Sequence, residues 1–449
     1  MTVTQTESRQ ATMDPCYPQT LKQAIDRHLP CRLFDQDGTV AAFRWCERYL
    51  TLCALLMAWS VAEVLADRFD QARRGLTAMF PGRKRSGKTY QGFVAALAQN
   101  SDALLARIAE HLRGEARLVV GKSHWEHLGF VPIGADGSKV ECPRTAANEK
   151  EFGCAGKTKS APQQFVTTLL HLTTGVVWEF MTGPARSSER DHLRQMLPTL
   201  PESALLIADA GFTGYDLLTT IMERGHCFLI RVGANVNLLL KLGYALEERD
   251  GTVYLWPDEM RKKEQSPLVL RRITLCDGRN RRMHLLTNVL EESRLSETAA
   301  CDFYTMRWGV ELYYRALKQT LARRKLASEA PATARMELRW AMVGLWLLCL
   351  MTAGAIIRGG NDVRRLSVAG ALRRVRTAMR APTTRSGSAG LGRQLARAVK
   401  DHYVRQTSKR ARNWAHKKKP KPIGDPNARI ADEAEVQQAR ELRDRAVAA

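Results

Sequence analysis

The sequence is short of acidic residues, and no two of its cysteines have the C-x-x-C spacing. Lys and Arg number 69 against 46 Asp and Glu, which gives a formal net charge of +23. This deficit of negative charge predicts a polyanionic partner, most simply nucleic acid, although a membrane surface also attracts basic proteins. The 10 cysteines are scattered, and several lie in apolar runs. The pattern argues against structural zinc and indicates reduced core residues in a cytosolic protein.

The N-terminal stretch MTVTQTESRQ has no apolar core segment, so the sequence does not predict a signal peptide and we expect a cytoplasmic protein. One long apolar run lies at 336–358, and its part Trp340 to Ile357 approaches the length of a membrane span. Arginines flank that run, and Gly344, Thr352 and Gly354 dilute it. We therefore predict a buried helix and no membrane partner.

The segment YTMRWGVELYYRALK carries polar residues at a helical spacing. Tyr304, Arg307, Glu311 and Lys318 fall within one narrow side of a helix, because an α-helix turns by about 100° per residue. A carboxylate between two cations and a phenol suits a hard divalent cation beside a phosphate. A solvated helical face with intrahelical ion pairs would have the same pattern.

Two aspartates follow apolar, strand-like runs earlier in the chain. Asp136 lies in GFVPIGADGSKV, and Asp209 ends ALLIAD. Two strand-borne aspartates and a later helical glutamate are the set that two-metal phosphoryl transfer requires, because the carboxylates must converge on two cations. The sequence therefore predicts one site from Asp136, Asp209 and Glu311.

The order of elements around these residues predicts an α/β domain. The stretch 163–183 reads as two strands joined at Thr174–Gly175, and helices are predicted at 190–200 and 214–225. Strands are predicted at 204–209 and 226–232, and a further short strand at EARLVVGKS. This alternation supports a mixed α/β fold without fixing its topology.

The motifs resemble those of a known family. The spacing Y-(2)-R-(3)-E-(6)-K, the segment DGSKVECPRTAANEKEFG and the segment ADAGFTGYDLL resemble the DDE transposases of bacterial insertion sequences, in the insertion-sequence-four branch. The resemblance covers about residues 116–325. It implies a ribonuclease-H-like catalytic core with a β-rich insertion at about 233–290. It also implies that Asp136, Asp209 and Glu311 bind two Mg²⁺ ions, for which Mn²⁺ can substitute.

The same resemblance implies a reaction and partners. The enzyme would cleave DNA at the ends of its element and join the freed 3′-hydroxyl to target DNA. Tyr304, Arg307 and Lys318 would contact that DNA. The partners would be double-stranded DNA, both terminal inverted repeats and target, and a second copy of the chain in a synaptic complex on the bacterial nucleoid. A catalytically silent, transposase-derived DNA-binding repressor remains an alternative.

The domain organisation expected from these patterns has three parts. Residues 1–115 would form a helical DNA-binding domain, with helices at 46–69 and 90–112 around a basic loop at 80–89. Residues 116–360 would form the catalytic domain, and residues 361–449 a basic, partly disordered C-terminal region that contacts phosphates. In the basic loop we expect DNA contacts from Arg83, Lys84, Arg85 and Lys88.

The basic loop also allows a different function. Gly82–Thr89 reads GRKRSGKT, which matches the phosphate-loop pattern of P-loop ATPases. That loop works only between a buried strand and a helix. The preceding DQARRGLTAMFP has no strand-like run, so the ATPase alternative depends on the element in front of the loop.

Overall fold

The computed structural model describes residues 17–34, 45–81, 87–154, 161–233, 244–248, 250–276, 282–401, 424–426 and 428–448. Its helices are α1 (Leu21–His28), α2 (Glu47–Trp59), α3 (Leu65–Met79), α4 (Tyr90–Val120), α5 (Lys122–Trp125), α6 (Ala146–Phe152), α7 (Glu189–Met196), α8 (Tyr215–Glu223), α9 (Asp258–Lys262), α10 (Glu297–Met306), α11 (Trp308–Arg315), α12 (Pro331–Arg358), α13 (Val368–Ala378), α14 (Gly390–Ala396) and α15 (Glu433–Ala448). Its strands are β1 (Val131–Glu141), β2 (Gln163–His171), β3 (Val176–Pro184), β4 (Ala204–Ala208), β5 (Cys227–Val232), β6 (Tyr244–Glu247), β7 (Thr252–Trp256), β8 (Leu268–Cys276), β9 (Arg282–Thr287) and β10 (Ala428–Ile430).

The described strands form one ten-stranded sheet in the order β10-β6-β7-β8-β9-β5-β4-β1-β2-β3. Strands β1, β2 and β3 pair antiparallel, whereas β4 and β5 continue from β1 in parallel. On the other side of β5, strands β9, β8, β7 and β6 pair antiparallel. The expected α/β class is confirmed, and the strands from the predicted insertion extend the same sheet.

Helix α12 is the centre of the larger core. It is long and apolar enough to cross a membrane, but 94% of its most apolar window is buried inside the protein. Trp59 of α2 donates its Nε1–H to the carbonyl oxygen of Gly344 at 2.9 Å. A Cβ atom at Gly344 would lie 2.8 Å from the Cβ of Ala58, so glycine is needed for this close helix contact. The segment is the buried helix that the sequence predicts.

The N-terminal helices differ from the prediction in two places. The helix expected at 46–69 is broken after α2, where the Ser60 hydroxyl accepts a hydrogen bond from the Ala62 amide at 3.1 Å and so competes with helical bonding. The strand expected at EARLVVGKS is wrong, because α4 continues to Val120. Leu112, Ala116 and Val120 are all buried, so the helical stripe runs past the expected boundary at residue 115.

The element in front of the basic loop is a helix. Helix α3 occupies residues 65–79, where a phosphate-binding loop would need a buried strand. The ATPase alternative is therefore not supported by the local fold. Arg83, Lys84 and Arg85 lie outside the described residues, and Lys88 is exposed just before α4.

Much of the described C-terminal region packs on the rest of the protein. Helices α13 and α14 lie against α12, with Leu372 and Leu391 buried between them. Strand β10 pairs in parallel with β6, and Ala439 and Leu442 of α15 pack on Tyr254 and Trp256. The cation run at 407–422 lies outside the described residues. The region 361–449 thus contributes both to the core and to the far end of the sheet.

Candidate active site

The two predicted aspartates lie on adjacent parallel strands. Gly134 of β1 is in register with Ile207 of β4. Asp136 lies two residues further along β1, and Asp209 directly follows the last residue of β4 and keeps an extended backbone. Both side chains therefore leave the same face of the sheet, about one strand spacing apart. Asp136 is borne by a strand, as predicted, and β1 continues beyond the apolar run to Glu141, because Asp136 and the next five residues also pair with β2.

Backbone amides orient both carboxylates. Oδ1 of Asp136 accepts the Gly137 N–H at 2.8 Å, and Oδ1 of Asp209 accepts the Gly211 N–H at 2.9 Å. Burial raises the pKa of Asp136 to about 6, and the negative charges of Asp209 and Glu311 act in the same direction. The Gly137 amide and the Arg307 guanidinium oppose that rise without cancelling it.

The predicted helical motif spans three consecutive helical pieces. Helix α10 ends at Met306, Arg307 keeps helical backbone angles between the two helices, and α11 begins at Trp308. A wider π turn at Ala316–Thr320 follows and contains Lys318. The expected single helix is therefore interrupted, although the chain keeps its general direction.

Three of the four motif residues lie side by side. Nη2 of Arg307 donates to Oε1 of Glu311 at 3.1 Å, and the Arg307 guanidinium lies 5.5 Å from the centre of the Tyr304 ring. Lys318 points to β1 instead, where its Nζ donates to Oγ of Ser138 at 2.7 Å. Ser138 is two residues beyond Asp136, so Lys318 is a second cation, besides Arg307, whose charge acts on Asp136.

Tyr314 ties the glutamate-bearing helix to the sheet, a role that the sequence patterns did not predict. Its hydroxyl lies 2.8 Å from the Asp136 carbonyl oxygen, 3.0 Å from the Val166 carbonyl oxygen and 3.0 Å from Oγ1 of Thr168. Burial raises the pKa of Tyr314 well above its ordinary value, so the hydroxyl keeps its proton and donates. The sequence feature that could have identified Tyr314 is its position three residues after Glu311, on the same side of α11.

Arg231 and Glu189 are two further charged residues at the site that the motifs did not identify. Burial raises the pKa of Tyr304, and the cations of Arg307 and of Arg231 on β5 oppose that rise without cancelling it. Burial also raises the pKa of Glu189 to about 7, and the charges of Asp209 and Asp136 add to the rise. Neither Arg231 nor Glu189 belongs to the helical motif or to the strand-end pattern of the predicted carboxylates, so those patterns could not identify them.

The donor set fits a hard cation by its chemistry. Among the described residues, no group of three or more His, Cys, Asp or Glu side chains is arranged so that it could hold a metal ion. The carboxylates supply the oxygen donors that Mg²⁺ prefers, and a divalent charge would offset both the burial that raises the pKa of Asp136 and the smaller repulsion from Asp209 and Glu311. Glu311 is directed to Arg307 in this structure.

Comparisons with known proteins show what the chain is similar to. Residues 133–347, which include all three predicted carboxylates, match the family model of the transposase DDE domain. Over 334 residues the chain is 24% identical to the transposase InsG for insertion sequence element IS4 of Escherichia coli (strain K12), covering 71% of this chain and 73% of that protein. Both matches are to transposases, and together they support the resemblance to the insertion-sequence-four family of DDE transposases.

One solved structure has a weaker likeness to this fold. The piggyBac transposase synaptic complex with hairpin DNA has a TM-score of 0.41 and 11% sequence identity, and the match covers 87% of this chain and 84% of that chain. The family assignment depends on the sequence matches alone.

Proposed function

We propose that this transposase cleaves DNA at the ends of its insertion sequence and joins the freed 3′-hydroxyl to target DNA, with Asp136, Asp209 and Glu311 as catalytic residues. The observation that carries the proposal is the register of β1 with β4. It brings two aspartates that are 73 residues apart in sequence to matching positions on one face of the sheet. Helix α11, with Glu311, packs beside them on β1.

The proposal includes a ribonuclease-H-like core. The order β3-β2-β1-β4-β5 supports it, with three antiparallel strands followed by two that run parallel to β1. Strands β6 to β9 enter the chain between β5 and α10, which supports the β-rich insertion before the glutamate. This topology positions the carboxyl end of β4 next to the middle of β1, where the two aspartates lie.

Asp136, Asp209 and Glu311 would hold two Mg²⁺ ions, or Mn²⁺ in their place, and the bound ions would activate the attacking oxygen and stabilise the leaving oxygen. The role of the chain is to concentrate three negative charges there. Glu311 is paired with Arg307 at 3.1 Å, so its rotation towards the aspartates would free the guanidinium for a phosphate oxygen. Tyr304 would hold that guanidinium by its ring, and Lys318 would bind a second phosphate from the side of Ser138.

The proposed partners are double-stranded DNA and a second copy of the chain. The net charge of +23 supports a DNA partner, which would include the terminal inverted repeats and the target. Exposed Lys88, with Arg83, Lys84 and Arg85 of the basic loop, would bind DNA phosphates. The homodimer in a synaptic complex and the cytoplasmic, nucleoid-associated location belong to the same proposal.

The test uses the purified full chain and DNA that carries the sequences flanking its own gene. With Mg²⁺ we expect strand cleavage at a defined end, and Asp209→Asn should abolish cleavage while gel-shift affinity for the same DNA is retained. A wild-type protein that binds this DNA but cuts it with neither Mg²⁺ nor Mn²⁺ would instead be the silent DNA-binding repressor. Cleavage by Asp209→Asn at the wild-type rate would remove Asp209 from the site.

A further inference from the structure

We infer that Glu189 is a fourth carboxylate of the active site and a ligand in the same metal-binding space as Asp136 and Asp209. The inference rests on the proposed function, since it adds a residue to the proposed site. Glu189 is the first residue of α7, which follows β3. It comes from a part of the chain that carries none of the motif residues.

The carboxylate of Glu189 fits into its position only because two neighbouring residues are glycines without a Cβ atom. A Cβ atom at Gly137 would collide with Oε1 of Glu189, and a Cβ atom at Gly211 would lie 3.2 Å from Oε2. Gly137 directly follows Asp136, and Gly211 is two residues after Asp209. Each oxygen of Glu189 therefore lies against the backbone beside one of the aspartates.

The start of α7 is anchored to the loop that holds Asp209. Nε of Arg190 donates to the Gly211 carbonyl oxygen at 2.9 Å, and the Ser188 hydroxyl caps the helix by accepting the Asp191 N–H at 3.3 Å. Oδ1 of Asp209 accepts the amide of the same Gly211. One residue of the loop thus sets the position of both carboxylates.

Among the residues that the structure describes, none pairs with the Glu189 carboxylate in a way that would give it a purely structural role. Within the described ranges, its carboxylate takes part in no hydrogen bond or ion pair, although Lys139 and Arg190 exert a weaker charge effect on it. A half-buried carboxylate near two others is unfavourable unless a cation or a proton compensates its charge. A divalent cation between Glu189 and the aspartates would supply that compensation.

The competing role for Glu189 is a favourable charge at the N-terminus of α7. Negative side chains in the first turn of a helix stabilise it through the helix dipole. Asp191 lies in the same first turn, but its side chain is 62% exposed and pairs with Arg194. Asp191→Asn is therefore a matched control, because it removes a first-turn charge that faces solvent.

The experiment compares wild type, Glu189→Gln, Glu189→Asp and Asp191→Asn as full chains bound to element-end DNA. Electron paramagnetic resonance of free Mn²⁺ gives metal affinity without turnover, and a Mg²⁺ titration of end cleavage gives the working concentration. We expect both Glu189 variants to weaken Mn²⁺ binding by about 10-fold to 100-fold, with a matching shift in the Mg²⁺ requirement. Asp191→Asn should bind Mn²⁺ like wild type, and all three variants should keep their DNA affinity.

Glu189→Asp decides between a ligand and a distant charge, because it keeps the charge and withdraws the oxygens by one methylene. Wild-type Mn²⁺ affinity in Glu189→Asp, whatever Glu189→Gln does, overturns the inference. If wild type cleaves, Asp209→Asn does not, and the Glu189 variants bind Mn²⁺ normally, the inference alone fails. If wild type does not cleave at all, the proposed function fails, and the Mn²⁺ titration still reports on Glu189.

Discussion

Two groups of charge in this protein, one buried and one half-buried, are built in opposite ways. Glu337 of α12 accepts hydrogen bonds from Nη1 of Arg68 at 2.8 Å, from the amides of Ala327 and Ser328, and from the Ser328 hydroxyl. Where β4 ends beside the middle of β1, Asp136 and Asp209 each accept one nearby backbone N–H through Oδ1, and a third carboxylate, that of Glu189, lies beside them. In the first group, a guanidinium and several other donors compensate the charge of the carboxylate. In the second group, carboxylates of the same charge lie close together.

The difference separates a structural role from a functional one. A buried carboxylate with several donors holds neighbouring segments together, and removal of one partner leaves the other uncompensated. Burial, with the like charges of Asp209 and Glu311 as further causes, raises the pKa of Asp136 to about 6, so the charged carboxylate costs stability in the folded chain. Such a cost is expected where the site is completed by something that binds to it. Substitutions in the two groups should therefore have opposite effects on stability and on activity.

The largest effect should come from Glu311→Asp. The variant keeps the charge but shortens the side chain by one methylene, and Mg²⁺ tolerates little error in ligand geometry. We expect end cleavage to fall by roughly 100-fold or more, since loss of a group aimed at the transition state costs about that much. Gel-shift affinity and the midpoint of urea unfolding should stay near wild type. Cleavage at the wild-type rate would show that Glu311 is not a ligand.

Glu337→Gln should have the opposite profile. It leaves the buried guanidinium of Arg68 without its counter-ion, next to Arg323, whose pKa is lowered to about 10 by burial with Arg68 as a further cause. We expect a loss of about 3–5 kcal/mol in the free energy of unfolding, measured by urea denaturation.

The control for Glu337→Gln is Glu151→Gln. Glu151 pairs with Arg335 at the surface, where both side chains are close to half exposed. The cost of losing that pair should stay below about 1 kcal/mol. Equal losses in the two variants would mean that burial does not distinguish these pairs, and the contrast between the two groups would fail.

The sequence predicted the elements that carry a strong local pattern. The hairpin of β2 and β3, strand β4, helix α8 and the buried helix α12 were all predicted close to their observed positions. The motif spacing also brought Tyr304, Arg307 and Glu311 together correctly, because their contacts lie within one stretch of chain. Local periodicity therefore accounted for most of the helical segment that carries Glu311 and for the strand before Asp209.

The remaining features depend on contacts that are distant in sequence. Tyr314 reaches Asp136 across 178 residues, and Glu189 meets Gly137 only because β3 returns the chain to β1 and β2. Strand β10 is paired with β6 although it lies in the C-terminal region. The extension of α4 follows from tertiary burial of Leu112, Ala116 and Val120, where β-branched Val119 and Val120 favoured a strand.

The smallest expected effect is the pH dependence of stability, which tests the charge crowding in the metal-free protein. The folded-state pKa of Asp136, about 6, lies above its ordinary value of 3.8. Between these values the folded chain binds more protons than the unfolded chain, so this carboxyl makes stability fall as pH rises, and the effect is complete above pH 6. Asp136→Asn has no proton to lose there. Its stability relative to wild type, from urea unfolding in EDTA, should therefore rise between about pH 4 and 6 and then level off.

Saturating Mg²⁺ at pH 7.5 should reduce the difference, because a bound cation stabilises the wild-type site more than the variant's. Parallel pH profiles for the two proteins would mean that Asp136 is not crowded, and the two groups of charge would then differ only in their number of donors.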